Sequence, residues 1–266
     1  MLGPGTLILG ANRDESPDRP TAGPGVLVSD PRVVGGRDLV SGGTWLAVRD
    51  ERFIAALLNR RPDPSDRRDP ASFRSRGLLC LDLASTRTSD AIDPVTGEAY
   101  APWQARALRL LRADPYGPCT LVWAGVDGSG WVLSLTGESV PRFTQIEPGW
   151  HVITHQDLDD DREPRTRWLL ERLRGETPDS VERAVETIQA LLRSHGETGG
   201  PPVCLHRERF PTVSSTIVAL GESVQPRYLH APGAPCVTPY EDVSNLLGSR
   251  PGTARSRATQ SGDTAR

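Results

Sequence analysis

The sequence contains no lysine; all 31 basic residues among its 266 are arginine. Every fixed positive charge is therefore a planar guanidinium, suited to bidentate contacts with carboxylates and phosphates. The usage points to a GC-rich, bacterial coding source. Neither sign of charge is in excess (net −3), and no basic block occurs, which excludes the electrostatic footprint of a nucleic-acid binder. Cysteine is scarce, at positions 80, 119, 204 and 236, too few and too scattered for a disulfide framework. No apolar run is long enough to span a membrane. The opening run "TLILGA" is too short for a signal-peptide core and lacks a basic flank. These absences predict a soluble protein in a reducing, cytoplasmic setting.

What is present suffices for a core. A chain of this length buries roughly 70–75% of its unfolded surface, and one domain over residues 1–249 is expected. From Arg250 onward, "RPGTARSRATQSGDTAR" holds no apolar residue larger than alanine, so 250–266 reads as a disordered tail. Strands are predicted at "TLILGA" (6–11) and "GVLVSD" (25–30), with a hairpin at "TWLAVR" (44–49) and "RFIAALLN" (52–59). Residues 61–72 form a Pro- and charge-rich loop. Apolar residues recur at three and four over 75–87 and 102–113, which predicts helices. A meander follows through "CTLVWAGV", "WVLSL", "SVPRFTQI" and "GWHVITH", then helices at 164–174 and 178–195. Strands close the chain at "PVCLH" (202–206), "SSTIVAL" (214–220) and "PRYLHA" (226–231). Strand groups separated by helical pairs predict an α+β layer arrangement of stacked antiparallel sheets with helices outside.

Most candidate chemistry dissolves on inspection. The glycines of "VVGGRDLVSGGTW" lack phosphate-loop spacing and read as tight turns. His151 and His155 in "HVITH" would lie ~13 Å apart on a strand, too far for one ion; His155, near a sheet end, keeps interest. The acidic run "DLDDDRE" lacks the glycine and closing glutamate of a calcium loop and reads as a solvated loop capping the next helix. Cys204 and His206 share a strand face in "VCLH", but without further ligand spacing a buried thiol is the expectation. The serines of "TVSST" have no nucleophile-elbow pattern and read as edge-strand hydroxyls. No metal site is expected.

The opening stretch "LILGANRDESPDRPTAG" is different. It delivers Asn12, Arg13, Asp14 and Glu15 in succession at a strand end, and burying such groups unpaired costs several kcal/mol each. This stretch, then "VVGGRDLVSGGTWLAV", "FIAALLNRRPDP", "SRGLL", "PGWHVITHQDLDD", "TVSSTIVALG" and "YLHAPGAPCVTPYEDV", taken in order, resembles the NRDE family. Eukaryotic members of that family are called transport and Golgi organisation protein 2. The resemblance runs from residue 5 to about 247.

It implies a fold like that of N-terminal-nucleophile hydrolases, an αββα sandwich of two antiparallel sheets between helical layers. Family members begin Met-Cys, and removal of Met would expose Cys as a nucleophile with its own α-amine as base. This chain begins Met1-Leu2, so the expectation is that the first strand and its nucleophile are missing, through a misplaced start codon or a true short form. A more distant likeness to choloylglycine and penicillin V hydrolases implies roles. Asp14 matches the Asp that steadies their terminal Cys, and their partner Arg falls on Ala11, with Arg13 on the same strand face as a substitute. Asn59 matches an oxyanion-hole Asn, and His155 stands where the relatives carry a second Asn. Asn12, Arg19, Arg37 and Trp45 join as ligand-binding candidates around an Arg-rich mouth.

Three functional readings follow. The fold binds a small ligand without cutting it, either haem or an acyl or acyl-CoA compound, with no resident cofactor. Alternatively, the gene's full product is a cysteine amidohydrolase or acyltransferase acting on a non-peptide C–N bond. In the third reading, the NRDE segment only holds a turn by ion pairs. No nucleic-acid or membrane-spanning partner is expected.

Overall fold

A computed structural model describes residues 5–62, 66–86, 102–137, 140–196 and 199–248. The tail from Arg250 and part of the 61–72 loop lie outside them. Among the described residues, eleven strands form two antiparallel sheets. The four-stranded sheet has the order β1 (Leu7–Asp14), β9 (Thr212–Leu220), β10 (Arg227–Ala231), β11 (Glu241–Asp242). The seven-stranded sheet is a meander in chain order. Its strands are β2 (Thr21–Val28), β3 (Val33–Asp38), β4 (Leu46–Arg49), β5 (Phe53–Asn59), β6 (Cys119–Gly125), β7 (Gly130–Leu135) and β8 (Arg142–Gln145). Helices α1 (Arg76–Ser85) and α2 (Pro102–Ala113) cover its outer face, and α3 (Pro164–Leu173) and α4 (Val181–Arg193) cover that of the smaller sheet.

Strand alternation sorts the side chains into three layers. Val34, Leu46, Val48 and Ile54 of the large sheet meet Val218, Leu220 and Tyr228 of the small one, with Leu7, Leu9 and Ala11 from β1. Outside the large sheet, Phe53, Ala55, Leu121 and Trp123 pack on Leu79, Leu83 and Ala107 of the helices. Outside the small sheet, Ile8, Ile217 and Leu229 pack on Trp168, Val185, Ile188 and Leu192. The αββα order therefore follows directly from the period-two pattern. Gly10 shows how closely α4 seats: a Cβ there would come 2.2 Å from Ile188 Cγ2.

Four local expectations change. "GWHVITH" is irregular, because Val152 N and the His151 ring are captured by Asp159 rather than by a neighbouring strand. "PVCLH" is irregular too, since Val203 N and Cys204 N both donate to Ser194 O. Gly35 and Gly36 are not turn residues. They lie within β3, where a Cβ at Gly36 would come 2.5 Å from the Trp45 ring. "TVSST" is no edge: β9 is an inner strand of its sheet, between β1 and β10. Its Ser215 hydroxyl shares a 2.7 Å hydrogen bond with Tyr240 and its Thr216 hydroxyl a 3.1 Å one with His230.

Candidate functional site

The strand β1 ends in the NRDE segment and distributes its residues to opposite faces. Asn12 and Asp14 turn toward the α3/α4 side, and Ala11 and Arg13 toward the large sheet. The Asn12 amide donates to Leu192 O at 2.9 Å and Val203 O at 3.1 Å, tying the end of α4 to the segment before β9. Its Oδ1 is buried without a partner among the described residues. Asp14 accepts the Thr212 hydroxyl at 2.7 Å. Burial pushes the Asp14 carboxyl above the ordinary range, opposed by that hydrogen bond and by Arg165 and Arg207.

On the other face Arg13 lies over the Trp45 ring, 4.2 Å from its centroid, and 3.6 Å from Glu15. Arg19 pairs with Asp38 at 2.6 Å and approaches Glu15 at 3.8 Å. This is a closed ionic network: Arg13 and Arg19 of the expected mouth already face carboxylates. Arg37 is not part of it, since its guanidinium reaches Leu27 O, on the helix-covered side of the large sheet.

His155 lies near the start of α3, lining an open groove of about 500 Å³ with Gln156, Asp160, Arg162, Glu163 and Pro164. Burial holds its imidazole below the ordinary value, with Arg61, Arg165 and Arg60 acting the same way against Glu163. It is therefore neutral at neutral pH. Arg165 is the link across the site, because its charge acts on both His155 and Asp14. Its Nε is buried with no hydrogen-bond partner among the described residues. Glu163 caps α3, accepting Thr166 N at 2.6 Å. Asn59 ends β5, exposed, beside Arg60. Arg60 is anchored by Thr120, Ser134 and, at 2.7 Å, Asp157, which also meets Arg142. Asp157 is thus a bridge rather than a solvated loop residue. Arg162 and Asp160 pair at 2.7 Å on the rim.

The charge of Arg165 therefore reaches both Asp14 and His155, Asn59 stands next to Arg60, and Arg13, Arg19 and Trp45 lie apart on the opposite face of β1. Asn12 is engaged by α4. Sequence reasoning missed Arg165 and Arg60. The available signal was their position, one following Pro164 in the first turn of a helix and the other following the last strand residue Asn59. The α3 N-terminus is already capped by Glu163, and Arg60 and Arg162 are already paired, so the group here that can meet an anion is the Arg165 guanidinium.

A match to the family described as Transport and Golgi organisation 2 extends over residues 5–224. By structure, the chain is similar to penicillin V acylase from Agrobacterium tumefaciens (TM-score 0.53, 11% identity, covering 91% of this chain and 84% of that one). It is also similar to a variant of conjugated bile acid hydrolase from Clostridium perfringens (0.48, 11%, 92% and 92%). A third similar structure is the Caenorhabditis elegans N-acylethanolamine-hydrolyzing acid amidase orthologue (0.47, 16%, 79% and 86%). No curated protein matches by sequence. No helix among the described residues is long and apolar enough to cross a membrane.

Proposed function

The chain belongs to the Transport and Golgi organisation 2 family, and from that premise we propose that it binds a small anionic ligand of the acyl type. The ligand presents a carboxylate or a phosphate, as a fatty acid, an acyl-CoA or the propionates of haem do, and the protein holds it without cleaving it. The observation that carries this reading is the buried Nε of Arg165, in the first turn of α3, which has no hydrogen-bond partner among the described residues while the charge of its guanidinium acts on both His155 and Asp14. A guanidinium with an unused donor in a partly dry setting favours an anion strongly, because a charge-assisted hydrogen bond there contributes about 1.5–3 kcal/mol. Loss of the Arg165 side chain is then expected to weaken binding roughly 10–100-fold.

The test is titration of the purified protein with a fatty acid, an acyl-CoA and haem, read by calorimetry and, for haem, by its absorption band. Micromolar binding of one of them, weakened at least tenfold in Arg165→Ala with an unchanged unfolding midpoint, is the expected result. Absence of heat or spectral change with all three overturns the proposal.

A second reading has its own support. The sandwich resembles that of an acylase, and Asp14 sits at the end of a strand that pairs only with β9 among the described residues. An N-terminal cysteine strand laid along the other side of β1 would bring its α-amine toward Asp14, as the hydrolase chemistry requires. The mass of the N-terminal peptide of the protein from its own cells separates the two. A form starting at Cys that cleaves acyl amides, and loses that activity on Cys→Ala, establishes the hydrolase; a Cys form without such cleavage refutes it.

A further inference from the structure

Three segments distant in sequence converge beyond the end of α4. His195 lies just past the helix, Cys204 and His206 in the irregular segment before β9, and Cys236 between β10 and β11. The donor atoms of these four side chains all lie within 4.8 Å of one another. Cys204 Sγ is 3.5 Å from Cys236 Sγ and 3.9 Å from His206 Nε2, and His206 Nε2 is 3.2 Å from Cys236 Sγ. The His195 and His206 rings meet edge to face with centroids 5.0 Å apart.

We infer that His195, Cys204, His206 and Cys236 form a Cys2His2 site for a borderline-soft divalent cation, zinc foremost. A tetrahedral zinc with Zn–S near 2.3 Å and Zn–N near 2.0–2.1 Å requires donor–donor edges of about 3.3–3.8 Å. The three separations above bracket that range, so Cys204, His206 and Cys236 need shifts of only a few tenths of an ångström, while the His195 ring, whose donor lies within 4.8 Å of the others, closes by about 1 Å on loading. The donor chemistry excludes calcium and magnesium, which take oxygen ligands, because the four comprise only thiols and imidazoles. Four protein donors complete the tetrahedron, which makes the site closed and structural rather than hydrolytic. His195 and His206 are exposed and Cys236 half-buried, so an ion has an entry path.

The backbone around the cluster is already fixed. Val203 N and Cys204 N donate to Ser194 O at 3.0 and 2.9 Å, and Arg193 Nε donates to Pro235 O at 3.1 Å. Leu205 N donates to the Thr212 hydroxyl, which in turn donates to Asp14. The Asn12 amide holds Val203 O. The NRDE segment thus supports the ligand-bearing segment from beneath. On loading, each thiol loses its proton to solvent and a sulfur–metal bond forms in its place, with no change of oxidation state.

Elemental analysis of the full chain, purified anaerobically without chelator, should find about one zinc per molecule. Cobalt taken up by the metal-free protein should show the intense ligand-field bands of a tetrahedral thiolate–imidazole site. Cys236→Ala should lose the metal. His206→Asn, an exposed position, should weaken cobalt binding more than about a hundredfold, since even residues behind the ligands cost 10–100-fold. His206→Asn also reads the same prediction should the cysteine variant fail to fold. His151→Asn, outside the cluster, should bind normally. The proposal is overturned if the reduced protein takes up neither zinc nor cobalt. It is also overturned if the anaerobically purified chain carries Cys204 and Cys236 as a disulfide, or if His206→Asn binds cobalt as the unaltered protein does.

Discussion

Replacing Asn12 measures what the first residue of the NRDE string does. Its amide donates to two main-chain carbonyls, Leu192 O at the end of α4 and Val203 O before β9, both in buried residues. Removing the amide in Asn12→Ala forfeits two hydrogen bonds at about 1 kcal/mol net each and leaves both acceptors underused, at about 1–3 kcal/mol more in total. One gain offsets part of this. The buried Asn12 Oδ1 has no partner among the described residues, and its removal returns about 1–2 kcal/mol. The balance is a loss of about 1–4 kcal/mol, centred near 2.5, or about 5–10 °C at that centre in the unfolding midpoint for a chain of this size.

Asn12→Asp keeps the shape and turns the donor into an acceptor. A carboxylate would then face two carbonyl oxygens, so the loss should exceed that of alanine. The buried acid escapes by taking a proton, which raises its folded pKa above its unfolded one. A group shifted that way contributes most below its unfolded pKa and loses its contribution as pH rises through the folded value. The deficit of Asn12→Asp against the unaltered protein should therefore shrink from pH 7 to pH 4, while that of Asn12→Ala stays flat. Urea unfolding at the two pH values, with a common slope m, provides the measurement. An alanine loss below about 0.5 kcal/mol, or an Asp variant no worse than alanine at pH 7, would refute the reasoning.

Close approach of backbones gives a paired prediction. A Cβ at Gly43 would lie 2.2 Å from Gly77 C, where the loop before β4 meets the first turn of α1, whereas nothing lies within 4 Å of a Cβ at Gly25. Gly43→Ala should destabilise by about 3 kcal/mol or more and Gly25→Ala should stabilise slightly; equal midpoints would contradict this. Asp14 supplies the pH test. Burial raises its carboxyl pKa, so in the folded state it stabilises below its unfolded pKa near 3.9 and costs stability as pH rises through the raised value. Asp14→Asn can still accept the Thr212 hydroxyl, so the variant should gain stability relative to the unaltered protein on going from pH 4 to pH 7; a pH-independent difference argues otherwise.

The layer order was legible because it depends only on periodicity. Leu7, Leu9 and Ala11 alternate with Ile8 and Gly10, and the four described helices each follow a three-four apolar repeat, so α1 to α4 fall close to their predicted spans. Where the reading failed, side chains captured the backbone. "HVITH" has every β-forming residue a strand needs, yet Asp159 takes Val152 N at 2.8 Å and the His151 ring at 2.6 Å. That capture comes from the next segment of chain and leaves no mark in a propensity. The His/Cys cluster was hidden for a related reason. Cys204 and His206 are visible as a pair, but their partners lie nine residues upstream at His195 and 30 residues downstream at Cys236, a spacing no finger-type pattern contains.

The NRDE segment itself was legible as unusual, though not in its division of labour. Four polar residues at a strand end suggest one pocket only if they share a face, and alternation forbids that. Arg13 and Glu15 join Trp45, Arg19 and Asp38 in a network that neutralises the face toward β3. Asn12 and Asp14, on the opposite face, fasten the end of α4 and the start of β9. On the proposed reading an anion is met beyond that second face, at Arg165, because Arg13 and Arg19 on the first are already paired. The motif's two halves therefore act differently: one closes the gap between the sheets, and the other sets the floor on which His155, Arg165 and the cysteine–histidine cluster stand.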